Sequence, residues 1–252
     1  MRAEYIAAEI RENMGVITLN NTQNLNSVNE KMLRELAEQI TEYEDHQTVK
    51  VIVIKGTEKS FAAGLDIKNL AANLGQAKEI LQNMQLSFQT LREAKKPLIA
   101  AVSGFALGIG CEIALCCDIV LATDNARFAL PELSIGLLPC FGGCGLLTAR
   151  IGKARAMDMI LSGRALLAED AEKAGIVSRI VTDEALTEEY TKLAQRIADL
   201  PKNTVLSAKK IIRYYAEPQA QAFENLLSLN SVDSSEFKQT LMTYAQKKTS
   251  HS

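Results

Sequence analysis

Histidine is nearly absent from this chain: 252 residues include His46 and His251 and no other. His46 closes the acidic stretch EYEDH, and His251 lies in the terminal tail. A Ser-His-Asp mechanism needs an imidazole held beside a hydroxyl in a cleft, and neither position offers one. The same scarcity argues against a metal centre, which would have to combine Cys140 and Cys144 with a histidine from a polar context. Excess charge is lacking too. With a net charge of -2 and a pI near 5.9, no basic stripe for nucleic acid is expected. The opening MRAEYIAAEIRENMG has no unbroken apolar segment after its arginine, so no signal peptide is expected. No Gly/Ser linker or internal repeat divides the chain, which suits one core with a helical tail. Cys111, Cys116, Cys117, Cys140 and Cys144 all sit in apolar runs and read as small buried hydrophobes of a reducing compartment. A cytoplasmic location is the expectation, with a mature mitochondrial matrix form left open.

Charge is also missing from the stretch around which the chain is organised. Between Lys96 and Asp118 the only charged side chain is Glu112, and between Arg127 and Arg150 it is Glu132. Burying an ionised carboxylate without partners costs several kcal/mol, on the order of the stability of a whole domain. Each glutamate must therefore be paired, raised in pKa or turned outward. If 107–117 is helical, the residues three and four positions from Glu112 are Gly108, Ile109, Leu115 and Cys116, and none is a cation. Glu132 follows Pro131 and is expected in the first turn of a short helix, where the helix dipole would hold its pKa down against the upward push of burial, so that the two glutamates could be poised differently. Two carboxyls in an apolar cleft are a candidate general acid/base site. Gly108-Ile109-Gly110 does not complete a dinucleotide fingerprint, because position 113 is Ile. The run 98–117 reads as buried core and not as a membrane span, given Glu112, Ser103 and its glycines.

In chain order, the pattern predicts a β-hairpin with Ile6, Ala8 and Ile10 on one face and a turn near Asn13-Met14-Gly15. A helix follows with a Ser27/Glu30 capping box and apolar positions Met32, Leu33, Leu36, Ala37 and Ile40. Val51–Ile54 reads as a buried strand, leading to the loop Ser60-Phe61-Ala62-Ala63-Gly64-Leu65-Asp66, whose small residues allow close approach of a ligand. A helix over about 76–94 and the strand Leu98–Val102 continue an α/β pattern. Further on, Ala168–Ala174 is a short helix stopped by Gly175, Ile176–Val181 a strand, and 184–200 an amphipathic helix. After Pro201 the pattern is helical, with apolar positions Leu206, Ile211, Ile212, Phe223, Leu226, Leu227, Leu241 and Tyr244 that must pack on something.

The segments FAAGLDI at 61–67, SGFALGIGCEIALCCDIVLA at 103–122, FALPELSIGLLPCFGG at 128–143 and LSGRALLAEDAEKAGIVSRIV at 161–181 resemble the enoyl-CoA hydratase/isomerase (crotonase) superfamily. The resemblance implies an α/β fold: a ββα spiral core over residues 1–200, with a C-terminal helical trimerisation region over 201–252. It puts the hydratases' two catalytic glutamates on Glu112 and Glu132, and the oxyanion-hole N–H groups on Leu65 and Ile109. It further implies coenzyme A thioester contacts at Lys59, Ala63, Asp66, Ile67, Lys68, Tyr244 and Lys247. No cofactor or metal is implied, since coenzyme A is part of the substrate. The implied activity is hydration of trans-2-enoyl-CoA; the alternatives are a delta-isomerase or other CoA-thioester enzyme, or a non-catalytic acyl-CoA- or RNA-binding member. The implied partners are an acyl-CoA and further copies of the chain in a homotrimer or dimer of trimers, with neither nucleic acid nor membrane. Ile109 stands where the hydratases commonly have Gly, and a β-branched residue there would be strained if its backbone were left-handed. Cys140 also departs from the family pattern.

Overall fold

The computed structural model describes residues 3–216 and 221–249. Its frame is a six-stranded sheet in the order β1 (Ile6–Arg11), β2 (Met14–Leu19), β3 (Val51–Lys55), β5 (Leu98–Val102), β7 (Ile119–Thr123) and β10 (Arg179–Val181). β1 and β2 form an antiparallel hairpin, and the other pairs are parallel. A second, four-stranded sheet runs β4 (Ser60–Ala62), β6 (Phe105–Leu107), β8 (Arg127–Ala129) and β9 (Leu166–Leu167).

The central strands read as unbroken apolar runs because both of their faces are covered. Ile52 and Ile54 point into the main core with α1 (Glu30–Asp45), α3 (Ala77–Glu93) and α4 (Ile109–Cys116). Val51 and Val53 point the other way, against Tyr190, Leu193 and Ala194 of α7 (Asp183–Ala198). The low-charge run 98–117 is thus β5, β6 and α4, and among the described residues no helix is long and apolar enough to cross a membrane. The cysteines carry no disulfide; all are buried except the half-buried Cys144.

Several boundaries differ from the sequence reading. The hairpin turns at Glu12, which takes the left-handed φ of 52°, and Gly15 lies inside β2, where a Cβ would come within 2.6 Å of the Tyr43 ring. Of the face Ile6, Ala8, Ile10, only Ile6 is buried, because β1 is the edge of the sheet. α1 is capped by Asn29, whose side chain accepts from Met32 N–H, and not by Ser27. Val28 pairs with Leu65, so the backbone stays extended for two residues past the expected cap. The strand expected from Ile176 begins at Arg179.

After Pro201 come α8 (Lys202–Ala216), α9 (Gln221–Ser231) and α10 (Ser235–Thr249). α8 buries none of its residues, and Ile211 and Ile212 are more than half exposed. α9 and α10 behave differently: Val232, Phe237 and Leu241 belong to the main core, and α10 packs on α2 (Ile67–Ala72). Of the apolar positions expected to pack, Leu241 is buried within the chain, whereas Leu226, Leu227 and Tyr244 remain exposed. The Phe223 side chain lies outside the described residues.

α4 approaches β4 so closely that a Cβ on Gly110 would run into the Ala62 carbonyl and come within 2.7 Å of Ala62 Cβ. Gly110→Ala is therefore expected to cost about 1–3 kcal/mol of stability, the usual range for overpacking. Chemical denaturation checks this, and an unchanged midpoint and slope would contradict the contact.

Candidate active site

The site is assembled where the two sheets' loops meet the start of α4. The loop Ala63–Asp66 is pinned from one side: Ala63 N–H donates to Leu25 O at 3.1 Å, Val28 N–H to Gly64 O at 2.8 Å and Asp66 N–H to Val28 O at 2.9 Å. Leu25 and Asn26 hold left-handed φ values of 51° and 57° to make this support, and Asn26 Nδ2 donates to Ser60 O. With its flanking groups bound to Val28, Leu65 N–H faces away and has no partner among the described residues. Ile109 is the first residue of α4, so its N–H is one of the helix's unsatisfied donors. Gly108 carries the positive φ of 51°, while Ile109 is helical and unstrained. The strain that a left-handed backbone at Ile109 would have brought does not arise, because the positive φ falls one residue back, on a glycine that tolerates it. A Cβ on Gly108 would lie 3.6 Å from Gly64 Cα, so the two loops that carry the free donors are neighbours.

Both glutamates reach this place. Gly108 N–H donates to Ala129 O at 2.9 Å, tying the turn before α4 to the end of β8, from which Leu130 and Pro131 lead to Glu132. Glu132 opens a 3-10 turn, Glu132–Ile135, and its Oε1 would lie 2.9 Å from a Cβ on Gly108. Glu112, in the first turn of α4, is fully buried. Its Oε1 accepts from Phe141 N–H at 2.9 Å and Gly143 N–H at 2.8 Å, at the start of α5 (Gly143–Ser162). The other oxygen of each carboxyl, Glu112 Oε2 and Glu132 Oε2, is buried with no hydrogen-bond partner. Such orphaned acceptors are rare and costly unless a ligand, a water or a proton occupies them.

Burial pushes the Glu112 carboxyl well above its ordinary pKa, with Glu132 adding to the push and the Phe141 and Gly143 N–H groups opposing it. Burial likewise lifts Glu132 to about 7, against its own backbone N–H. Of the two opposing effects expected at Glu132, burial dominates, because one 3-10 turn offers little dipole to counter it. It is Glu112 that a helix start holds, through Gly143 N–H at the beginning of α5.

The remaining candidates divide. Asp66 caps α2, its Oδ1 accepting from Asn69 N–H at 2.9 Å, and Ile67 N–H bonds Leu65 O. Lys59 and Lys68 are exposed on either side of the pinned loop. Ile109 is buried in the main core. Tyr244 stands 41% exposed on α10, the helix that covers α2, and the Lys247 side chain lies outside the described residues. Cys140 is buried, and its thiol turns to Leu138 O. Among the described residues no group of His, Cys, Asp or Glu side chains is arranged to hold a metal ion. Sequence reasoning did not single out Leu25, Asn26, Gln85 or Glu224, whose roles depend on contacts made across the fold.

Two N–H groups without partners among the described residues thus lie beside two buried, half-unpartnered carboxyls. Comparisons with known proteins place the chain in a family. The family model described as enoyl-CoA hydratase/isomerase matches residues 9–251. A probable enoyl-CoA hydratase of Rhizobium meliloti is 41% identical over 212 residues, covering 84% of this chain and 82% of its own. The mitochondrial enoyl-CoA hydratase of Pongo abelii is 36% identical over 251 residues, covering 97% and 86%. The crystal structure of an enoyl-CoA hydratase from Mycobacterium avium subsp. paratuberculosis superposes with a TM-score of 0.86 at 25% identity, over 98% of this chain and 97% of its own. The chain belongs to the enoyl-CoA hydratase/isomerase family.

The raised Glu132 carboxyl has a consequence for stability. The folded state binds its proton more tightly than the unfolded chain does, so ionisation is linked to loss of stability as pH rises from the ordinary value of 4.5 through about 7. Glu132→Gln removes that loss. The variant is expected to gain stability relative to the unmodified protein across this window, on the order of 3 kcal/mol at its upper end. Urea unfolding at a series of pH values reads the difference, and a pH-independent gap would contradict the raised carboxyl.

Proposed function

We propose that this protein adds water across the double bond of trans-2-enoyl-CoA thioesters, giving 3-hydroxyacyl-CoA. The observation that carries the reading is the pair of buried carboxyl oxygens without partners, Glu112 Oε2 and Glu132 Oε2, beside the free N–H groups of Leu65 and Ile109. Glu112 Oε2 accepts a proton from a water molecule as the water oxygen attacks Cβ. The electron pair of the double bond moves toward the thioester, and negative charge gathers on its oxygen. The Leu65 and Ile109 N–H groups donate to that oxygen, each worth roughly 3 kcal/mol in such a role. Glu132, with a carboxyl titrating near 7, delivers a proton to Cα. Two relatives named enoyl-CoA hydratase over most of the chain support this reading. The steps draw on no cofactor, coenzyme A being part of the substrate.

The coenzyme A portion is assigned to Lys59, Ala63, Asp66, Ile67 and Lys68 around the pinned loop, with Tyr244 and Lys247 from α10. Residues 1–200 form the catalytic core in this reading, and 201–252 the region of assembly into a homotrimer or dimer of trimers. The apolar side chains left uncovered on α8 and α9, among them Ile211, Ile212, Leu226 and Leu227, support that assignment. The location proposed is cytoplasmic, or the mitochondrial matrix for a processed form.

Loss of the enoyl absorbance of crotonyl-CoA tests the proposal. Glu112→Gln and Glu132→Gln are each expected to lower kcat by at least about a hundredfold with the fold intact, the usual size of a general acid/base contribution. Turnover confined to a 3-enoyl-CoA, binding without turnover, or near-normal rates in either variant would overturn it.

A further inference from the structure

The face of α9 turned toward the site carries Glu224, Ser228 and Ser231, spaced four and three residues apart and therefore aligned on one side of the helix. Each meets the turn between Leu138 and Gly145. Ser231 Oγ accepts from Leu138 N–H at 3.2 Å. Gln85 of α3 donates to both Cys140 O and Ser228 Oγ, joining the turn to the helix at its middle. The Glu224 carboxylate accepts from Cys144 N–H at 2.8 Å and Gly145 N–H at 3.1 Å. These are the donors next to Phe141 and Gly143, whose N–H groups hold Glu112 Oε1. One helix start therefore grips two carboxylates, one inside the core and one from α9.

We propose that Glu224 is a positioning residue for the acid/base pair: by holding the N–H groups of Cys144 and Gly145 it fixes the turn whose neighbouring N–H groups aim Glu112 at the substrate. This rests on the catalytic reading of Glu112. The bond arrangement makes α9 part of the machinery and not only a surface for assembly. Glu224 also acts through its charge. Glu112 is faced by Glu132 from the 3-10 turn, by Glu224 from α9, and by the Cys111, Cys140 and Cys144 thiols. Glu224 itself is faced by Arg92 of α3 and by the Cys144 thiol. Among these, Glu132 and Glu224 are the carboxylates that disfavour an ionised Glu112.

The test is the pH dependence of kcat for crotonyl-CoA hydration by the full-length protein and its Glu224→Gln variant. Glutamine keeps an acceptor oxygen but removes the charge and one of the two bonds. The expected result is a kcat lowered about tenfold with KM changed less than about twofold, since a misaimed Glu112 affects the transition state more than binding. The acid limb of the profile is expected to move about half a pH unit lower, because the repelling carboxylate is gone. Ser231→Ala, which removes a neutral acceptor from the same turn, is expected to lower kcat about threefold without moving the limb. A Glu224→Gln protein with unchanged kcat and limb overturns the proposal, even if its thermal midpoint falls. Should that variant not fold, a normal kcat in Ser231→Ala overturns it instead. Glu112→Gln run alongside separates the two readings. If it is inactive while Glu224→Gln is normal, the positioning role alone fails; if it is active, the role of Glu112 itself fails.

Discussion

The structure depends on keeping two carboxyl groups inside an apolar core. Glu112 is held by two backbone N–H groups at the start of α5, and this bond fixes how α4, the turn 138–145 and α5 meet. Gly143 permits the approach: a Cβ there would stand 2.7 Å from Glu112 Oε1. Glu132 is held only loosely by hydrogen bonds, and burial sets its proton affinity. The same low-polarity surroundings that raise both pKa values strengthen every bond from an N–H group to a charge that develops nearby. In the proposed chemistry, cost to the resting protein and usefulness to the reaction have one origin.

Around that pair the fold supplies donors by leaving groups unsatisfied at chosen points. The Val28 bridge consumes the groups on either side of Leu65 and leaves its N–H free, and the start of α4 leaves the N–H of Ile109 free. The four-stranded sheet positions both: β4 and β6 lie side by side in parallel, and Gly108 is bonded to the end of β8. The central strands of the neighbouring sheet, buried on both faces, give the rigid base that such placement needs.

Much of this was legible in the sequence because it is local. Two carboxylates alone in long uncharged runs announce a buried pair, and the small residues of 60–66 announce a tight connecting loop. The strand Val51–Ile54, the helix at 77–93 and the stop at Gly175 follow from period and cap chemistry. What was not legible arises from contacts across the fold. Asn29 caps α1 because Val28 is drawn into a bridge with Leu65. The pKa of Glu132 follows desolvation that a sequence does not display. The helix α5 has apolar residues on no single stripe and a break at Gly152, so periodicity does not reveal it. Glu224 looks like any surface glutamate until α9 is seen against the turn.

Titration of the glutamate carboxyl carbons by NMR, in protein labelled at that carbon and with Glu112→Gln and Glu132→Gln used to assign the signals, reads the buried pair most directly. The Glu132 signal is expected to titrate near 7 and the Glu112 signal well above the ordinary 4.5. If both carbons titrate together with the exposed glutamates, the carboxyls are solvated, and the buried, half-unpartnered pair on which the proposed chemistry depends does not exist.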